Sequence, residues 1–260
     1  MISEPDAKGA KVTTAAGTAR AASDDPKLGV AKIAPYELTT TSYVDRNISR
    51  LTPANYYAKI FAMAMKSMRR STVGMIFNGD GQSTNDMFGV KTAKNMAGSP
   101  IYASLDVEEV CPDLLTELMF AYGGDEELGG NCRLYLNKKD LLALGKLRGT
   151  NEKQRLFDIV PDAANPNTGT IREGGTIVPY SISSKLTALS TSQKGSSAIQ
   201  TMVYGDPMNY ELGLFGPYTV RVDESVKAVE RMLTILGDAM VGGNLIVDKG
   251  FVVATLPANG

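Results

Sequence analysis

The residue types best able to do chemistry are missing or scattered in this chain. Its 260 residues include no His, which excludes Ser-His-Asp and Cys-His catalytic arrangements and zinc sites built on imidazole. Cys111 and Cys132 stand alone without CxxC spacing. They read as two buried free thiols in a reducing cytosol, not as a disulfide framework or a zinc ribbon. Acids gather at 24–25, 125–127 and 223–224, in segments that read as loops with solvated charge. A Ser-Lys dyad needs one positioned amine, and no spacing singles one out. Asn78-Gly79-Asp80-Gly81 supplies residues able to take positive φ, but no GxxxxGK[ST] surrounds it and the spaced carboxylates of a calcium loop are missing. It reads as a turn. The expectation is therefore no enzyme, no catalytic, cofactor-binding or metal-binding residue, and no cofactor.

Composition narrows the classes further. At 43% apolar and 21% charged residues, the chain has the make-up of a soluble globular protein of one large domain or two small ones. With 27 basic and 28 acidic residues its net charge is −1, against the basic excess of proteins that coat nucleic acid or anionic membranes, though local patches can exist. The start, MISEPDAKGAK, carries early acids and no apolar run, so no secretory signal is expected there. No membrane span is expected.

The elements follow from periodicity. Residues 1–29 hold almost no large apolar side chain and read as a tail, or as an arm ordered against a neighbour. Val30, Ile33, Tyr36 and Leu38 begin an extended run broken by Pro35. Thr52 as N-cap and Pro53 at the first turn open a helix whose Tyr56, Tyr57, Ile60, Phe61, Ala64, Met65 and Met68 recur at helical spacing. Lys66, Arg69 and Arg70 favour the helix dipole if the helix ends nearby. It runs either to about 77 or, broken at Thr72–Gly74, gives way to a strand. A second helix is expected over 113–122, ended by Gly123 and Gly124. A strand over 132–136 follows, then a helix capped by Asn137 with Leu141, Leu142, Leu144 and Leu147 on its face. Residues 162–175 read as a polar insertion. Strands are expected at 177–182, 202–204, 218–222, 232–236, 245–247 and 251–256, with Gly at the breaks. Helices and strands mixed without strict alternation predict α+β.

In order along the chain, these features resemble one family. A flexible arm precedes a long helix running into NGDG, with FGV at 88–90. A helix, a strand and LNKKDLLALGKL (136–147) follow. GGTIVPYS (174–181) is similar to the family's Gly-x-Pro-Val strand, with Thr176 and Ile177 intervening, and RMLTILGDAMVGGNLIVDKGFVVATL (231–256) is similar to its closing strands. The chain over 10–256 thus resembles the major capsid protein of tailed bacteriophages, the Hong Kong 97-type fold.

That resemblance implies an E-loop arm at 1–34, with the chain beginning inside or just before it. It implies a peripheral domain with its spine helix at 35–110, an axial domain at 111–225, and closing strands at 226–260 that link the two. It implies a structural protein, assembling with itself as pentamers and hexamers into an icosahedral phage head around double-stranded DNA contacted non-specifically. Portal, scaffolding or decoration proteins would be further partners, no membrane would be involved, and the location would be the virion, assembled in the host bacterial cytoplasm. The alternatives are an encapsulin-type nanocompartment shell, or another phage structural or binding module. Some members of the family weld subunits by an isopeptide bond from an E-loop Lys to an Asn just before the Met-Leu-Thr-Ile-Leu run, helped by a carboxylate after it. Here Arg231 stands in the Asn position and Asp238 in the carboxylate position. Lys8, Lys11 and Lys27 are candidate nucleophiles, Asn244 is a substitute acceptor, and Asp24 or Asp25 on a neighbour's arm could pair with Arg231.

Overall fold

The computed structural model describes residues 2–3, 27–28, 31–47, 56–81, 87–95, 98–123, 130–149 and 153–259. Strands β1 (Ile2–Ser3) and β2 (Lys27–Leu28) pair antiparallel, Ile2 opposite Leu28. Strand β3 (Tyr36–Asp45) starts directly after Pro35, whose missing N–H keeps it out of the ladder. Helix α1 (Tyr56–Asn78) follows as one unbroken element. Ala64 and Met68 are buried and Ile60 and Phe61 half-buried, as their spacing requires. Thr52 and Pro53 lie outside the described residues.

No break occurs at Thr72–Gly74. The Thr72 hydroxyl donates back to the Met68 carbonyl at 3.1 Å, within the helix, and lies 2.9 Å from the Tyr218 hydroxyl. Because α1 continues to Asn78, Lys66, Arg69 and Arg70 sit mid-helix, and the last turn holds no basic residue. The dipole argument for that cluster fails, since the effect fades beyond one turn from the end.

After the Asn78–Gly81 turn come β4 (Ala103–Asp106), α2 (Leu114–Phe120), β5 (Arg133–Leu136), α3 (Lys138–Lys146), β6 (Asp158–Pro161), β7 (Thr168–Glu173) and β8 (Thr176–Ile182). Then follow β9 (Ile199–Gly205), β10 (Tyr210–Asp223), β11 (Met232–Leu245) and β12 (Phe251–Leu256). Asn137 caps α3 as expected, its side chain accepting from the Lys139 N–H at 3.1 Å.

Two larger sheets form. One has seven strands in the order β4-β12-β9-β5-β8-β7-β6, with β4–β12 and β5–β8 parallel and the other pairs antiparallel. The other is an antiparallel ribbon ordered β10-β11-β3. The architecture is α+β, as the mixed pattern predicts. Strand β12 joins the larger sheet although it follows the ribbon in sequence, and β4 lies at that sheet's edge.

The larger sheet is covered on both faces. On one, Leu114, Leu115 and Leu118 of α2 and Leu144 of α3 pack with Leu134, Met202, Tyr204, Val252 and Ala254. On the other, Phe77 from the end of α1 packs with Val203, Phe251, Val253 and Leu245. All six residues of β12 are buried, which explains its apolar run, interrupted by Thr255 alone.

Several expectations are corrected. Leu142 faces solvent at 58% exposure, because buried Asp140, roughly 200° away round the helix, turns that side inward. Residues 168–173 of the supposed insertion form β7, paired with β6 and β8; its Thr-Gly-Thr-Ile-Arg-Glu sequence hides a strand whose one buried side chain is Ile171. No separate strand exists at 245–247, since β11 runs through to Leu245. Gly237, Gly242 and Gly243 lie inside that strand and do not interrupt it. A Cβ on Gly237 would stand 2.7 Å from Thr40 Cγ2 and 3.1 Å from Met68 Sδ, so this glycine lets α1 and β3 approach.

Candidate functional site

The acidic groups do not converge. Residues 24–25 and 125–127 lie outside the described residues. Asp223 closes β10, its carboxyl held below the usual range by hydrogen bonds from the Ser225 hydroxyl and backbone N–H. Glu224 pairs with Arg46 at 2.9 Å on the surface. Among the described residues no group of three His, Cys, Asp or Glu could hold a metal ion, and no helix is long and apolar enough to cross a membrane. The Asn78–Gly81 turn is built for chain reversal: Gly81 has φ 62°, and Asp80 bridges to Phe88.

Buried polar groups serve as ties. Both carboxylate oxygens of Asp140 accept backbone N–H bonds, from Leu189 at 3.0 Å and Ser190 at 2.8 Å. They anchor α3 to the segment after β8. Lys91 is 4% exposed, and its Nζ donates to the Gln200 carbonyl at 3.0 Å. Gln200 Nε2 donates back to the Lys91 carbonyl at 3.0 Å and to the Tyr102 hydroxyl at 2.9 Å. Burial lowers the Lys91 pKa to about 8. Cys132 is buried and Cys111 half-buried, both as free thiols. Burial pushes the Cys132 thiol up, away from the nucleophilic thiolate. Sequence spacing missed Asp140 and Lys91, because each acts on backbone groups distant in the chain.

The chemically expressive part of the molecule is its surface. Strand β10 is 14 residues long and, among the described residues, has a ladder partner on one side alone, β11. Leu214 is 60% and Phe215 51% exposed on it, with Leu212 and Val222 also open. A long edge with apolar side chains is a template for pairing with another chain. Register shifts flank Gly216. The turn joining β10 to β11 presents Val226 and Val229 to solvent. It is held by a Lys227–Glu230 pair at 2.6 Å and by the Lys227 ammonium 5.5 Å over the Tyr43 ring.

The crosslink positions are dispersed. Arg231 is exposed, with φ 55°, at the entry to β11. Asp238 lies about 24 Å further along at strand spacing, accepting from the Thr219 hydroxyl at 3.1 Å. Asn244, the substitute acceptor, is buried: its amide donates to the Lys32 carbonyl at 3.1 Å and its oxygen accepts from Leu245 N–H at 2.8 Å. It is not open to attack. Lys27 lies in β2, while Lys8, Lys11, Asp24 and Asp25 fall outside the described residues.

A family model described as "Phage capsid family" matches residues 2–256. No curated protein matches the chain. Among solved structures, the capsid of a native GTA particle is similar at TM-score 0.71 and 15% identity, covering 95% of this chain and 81% of that one. A structure from Gordonia phage Cozz is similar at TM-score 0.64 and 11% identity, covering 100% and 80%. The holo-SrpI encapsulin complex of Synechococcus elongatus is similar at TM-score 0.55 and 14% identity, covering 90% and 76%.

Proposed function

The chain belongs to the phage capsid family, and we propose that it works as the major subunit of a phage head, closing with copies of itself as pentamers and hexamers into an icosahedral shell around double-stranded DNA. That it is a structural capsid protein follows from the family. The match over nearly the whole chain carries the reading, and the apolar edge of β10, which no described strand covers, supports self-association. Such a subunit acts through geometry, because many modest contacts made together give a stable lattice.

The sheets suggest how the parts divide. We assign the ribbon and α1 to the peripheral domain, and the seven-stranded sheet with α2 and α3 to the axial domain around the symmetry axes. β1 and β2 form the base of the E-loop arm. Segment 35–110 then keeps its peripheral assignment except for β4. The 111–225 segment keeps its axial assignment except for β10. Of the closing strands at 226–260, β11 goes to the ribbon and β12 to the axial sheet. Portal and scaffolding or decoration proteins complete the partner set, and assembly takes place in the host cytoplasm.

Negative-stain microscopy of the purified full chain tests the reading. Closed shells or ring-shaped capsomers are expected, and a monodisperse monomer at all concentrations would overturn it. The encapsulin alternative rests on the fold likeness to the Synechococcus complex. Particles that package protein cargo and exclude DNA in the producing cell would favour it.

A further inference from the structure

Helix α1 carries four basic residues and no acidic one over its 23 residues. At 100° per residue, Lys59, Lys66 and Arg70 fall within about 40° of one another on the helix surface. All three are exposed, as are Arg69 and Lys185. Lys66, Arg69, Arg70 and Lys185 line one groove of 880 Å³, with Ser183 and Ser184 on its wall and no carboxylate among the described residues that line it. The Lys185 stem crosses α1 at Gly74, where a Cβ would stand 3.5 Å from its Cδ. That close crossing brings a cation from the larger sheet's side to the helix stripe.

None of the five cations has an ion-pair partner among the described residues. Setting them aside leaves 22 basic residues against 28 acidic ones in the chain. A molecule of near-zero net charge has thus gathered unpaired positive charge on one face. From Lys59 to Arg70 the stripe runs about 16 Å along the axis. A linear stripe of cations on a helix suits a linear polyanion with regularly spaced charges.

We propose that this groove on α1 is the surface that meets the phosphate backbone of the packaged duplex DNA, so that α1 faces the interior of the shell. The inference rests on the capsid reading and adds an orientation to it. Contact is to phosphates, independent of base sequence, and strongly salt-dependent. The groove opens beside an apolar cavity of 430 Å³ that shares Val73, Ile182 and Ser183 with it. DNA has no group to fill that cavity, so an acidic peptide with an apolar anchor is the competing occupant the test must separate.

The test uses the full-length protein and a random-sequence duplex of about 30 base pairs, with affinity followed by fluorescence anisotropy between about 50 and 200 mM salt. The variant Lys66→Ala/Arg69→Ala/Arg70→Ala is compared with Lys138→Ala/Lys139→Ala/Lys146→Ala, which removes equal charge from exposed positions of α3. The α1 variant should bind at least about tenfold more weakly, with a salt slope smaller by about 2 to 3, while the α3 variant keeps the wild-type slope. Lys66→Arg with Arg69→Lys and Arg70→Lys, which keeps the charge, should retain binding, and circular dichroism checks that each variant folds. Equal loss in both triple-alanine variants, or no DNA binding by the wild type, overturns the proposal. So does tighter binding of a Glu-rich peptide bearing one Leu, lost in the α1 variant, which would make the partner a protein. If the wild type closes shells under negative stain while any of these results holds, the orientation fails and the capsid reading stands. Absence of shells from the wild type removes the capsid reading itself.

Discussion

The two sheets solve opposite problems. The seven-stranded sheet is sealed across β12, β9 and β5: β12 is wholly buried, and Met202 and Val203 of β9 and Leu134 and Leu136 of β5 are at 0% exposure, while only its β8–β6 end leaves apolar side chains such as Ile177 open. The ribbon is open: Leu214, Phe215, Val222 and Met240 remain exposed on it. Its buried side chains lie on the middle strand β11, where Leu233, Ile235, Ala239, Val241 and Leu245 are covered, Ala239 and Val241 packing against Met87, Tyr36 and Leu38. One region stabilises itself; the other holds back apolar surface that a neighbouring copy can cover. A shell subunit needs both, because a protein that satisfies every edge internally has nothing left to assemble with.

The largest effect is expected in the sealed region. Val253 is at 0% exposure in β12, an interior strand paired on both sides by β4 and β9. Val253→Asp places a carboxylate there without a partner, costing several kcal/mol. The full-length variant should be insoluble, or unfolded by circular dichroism. A soluble variant with wild-type thermal stability would show that this sheet is not the folding core.

Lys91 sits in the segment that runs from α1 to β4, tied to Gln200 of β9. Its folded pKa of about 8 lies below the unfolded value near 10.5. The unfolded chain therefore binds more protons between those values, and stability rises as pH climbs from about 8 to about 10.5. Below pH 8 the penalty for burying the ammonium is fully present, at most about 3 kcal/mol. Lys91→Met should raise stability at pH 7 by about 1 to 3 kcal/mol, less whatever the lost bond to the Gln200 carbonyl contributed. It should also flatten the wild-type rise above pH 8 in denaturant titrations. An unchanged pH profile would mean that Lys91 keeps its proton through hydration.

How far the sequence could be read follows the same division. The spacing of Ile60, Phe61, Ala64 and Met68 and the cap at Asn137 are local signals, and they marked α1 and the start of α3, with the end of α1 left open. The apolar run at 251–256 marked β12. The ribbon was harder. Gly237, Gly242 and Gly243 read as breaks because their reason for being glycine is a neighbour: Thr40, Ala34 and Tyr210 lie where their Cβ atoms would stand. Strand β3 pairs with β11 across some 200 residues of chain, Tyr36 with Val241, and no local pattern encodes that. Asp140 carries no local signal, because the N–H groups it binds, on Leu189 and Ser190, lie far along the chain. The basic stripe was visible, but it was assigned to the helix dipole because the length of α1 was left open.

A smaller effect on stability is expected at the open edge. Leu214→Ser/Phe215→Ser removes side chains that already face solvent, so the monomer should lose less than about 1 kcal/mol in denaturant melts. Assembly is the quantity that should fall, measured as the particle fraction in sedimentation velocity. Normal shells from this variant would mean that lattice contacts lie elsewhere, and the contrast between the two sheets would lose its functional meaning.

The last expectation is of no effect at all, and it concerns how neighbouring ribbons are joined. A covalent weld between subunits needs an acyl carbon that an amine can attack. Arg231 offers a guanidinium, which has no acyl carbon, where welding relatives have Asn. Asp238 is engaged by the Thr219 hydroxyl across the β10–β11 ladder, and Asn244 is buried with both ends of its amide bonded. Arg231 is exposed at the entry to β11, free to meet a carboxylate of an adjacent arm. Such a pair is specific in geometry and weak in energy. Subunits would then be held by packing alone, through contacts that detergent disrupts. Assembled particles boiled in detergent and reductant should run as one band near 27.7 kDa. A ladder of multiples surviving that treatment would place the acceptor on an Asn other than Asn244, and would mean that the open region is closed by covalent chemistry instead of by packing.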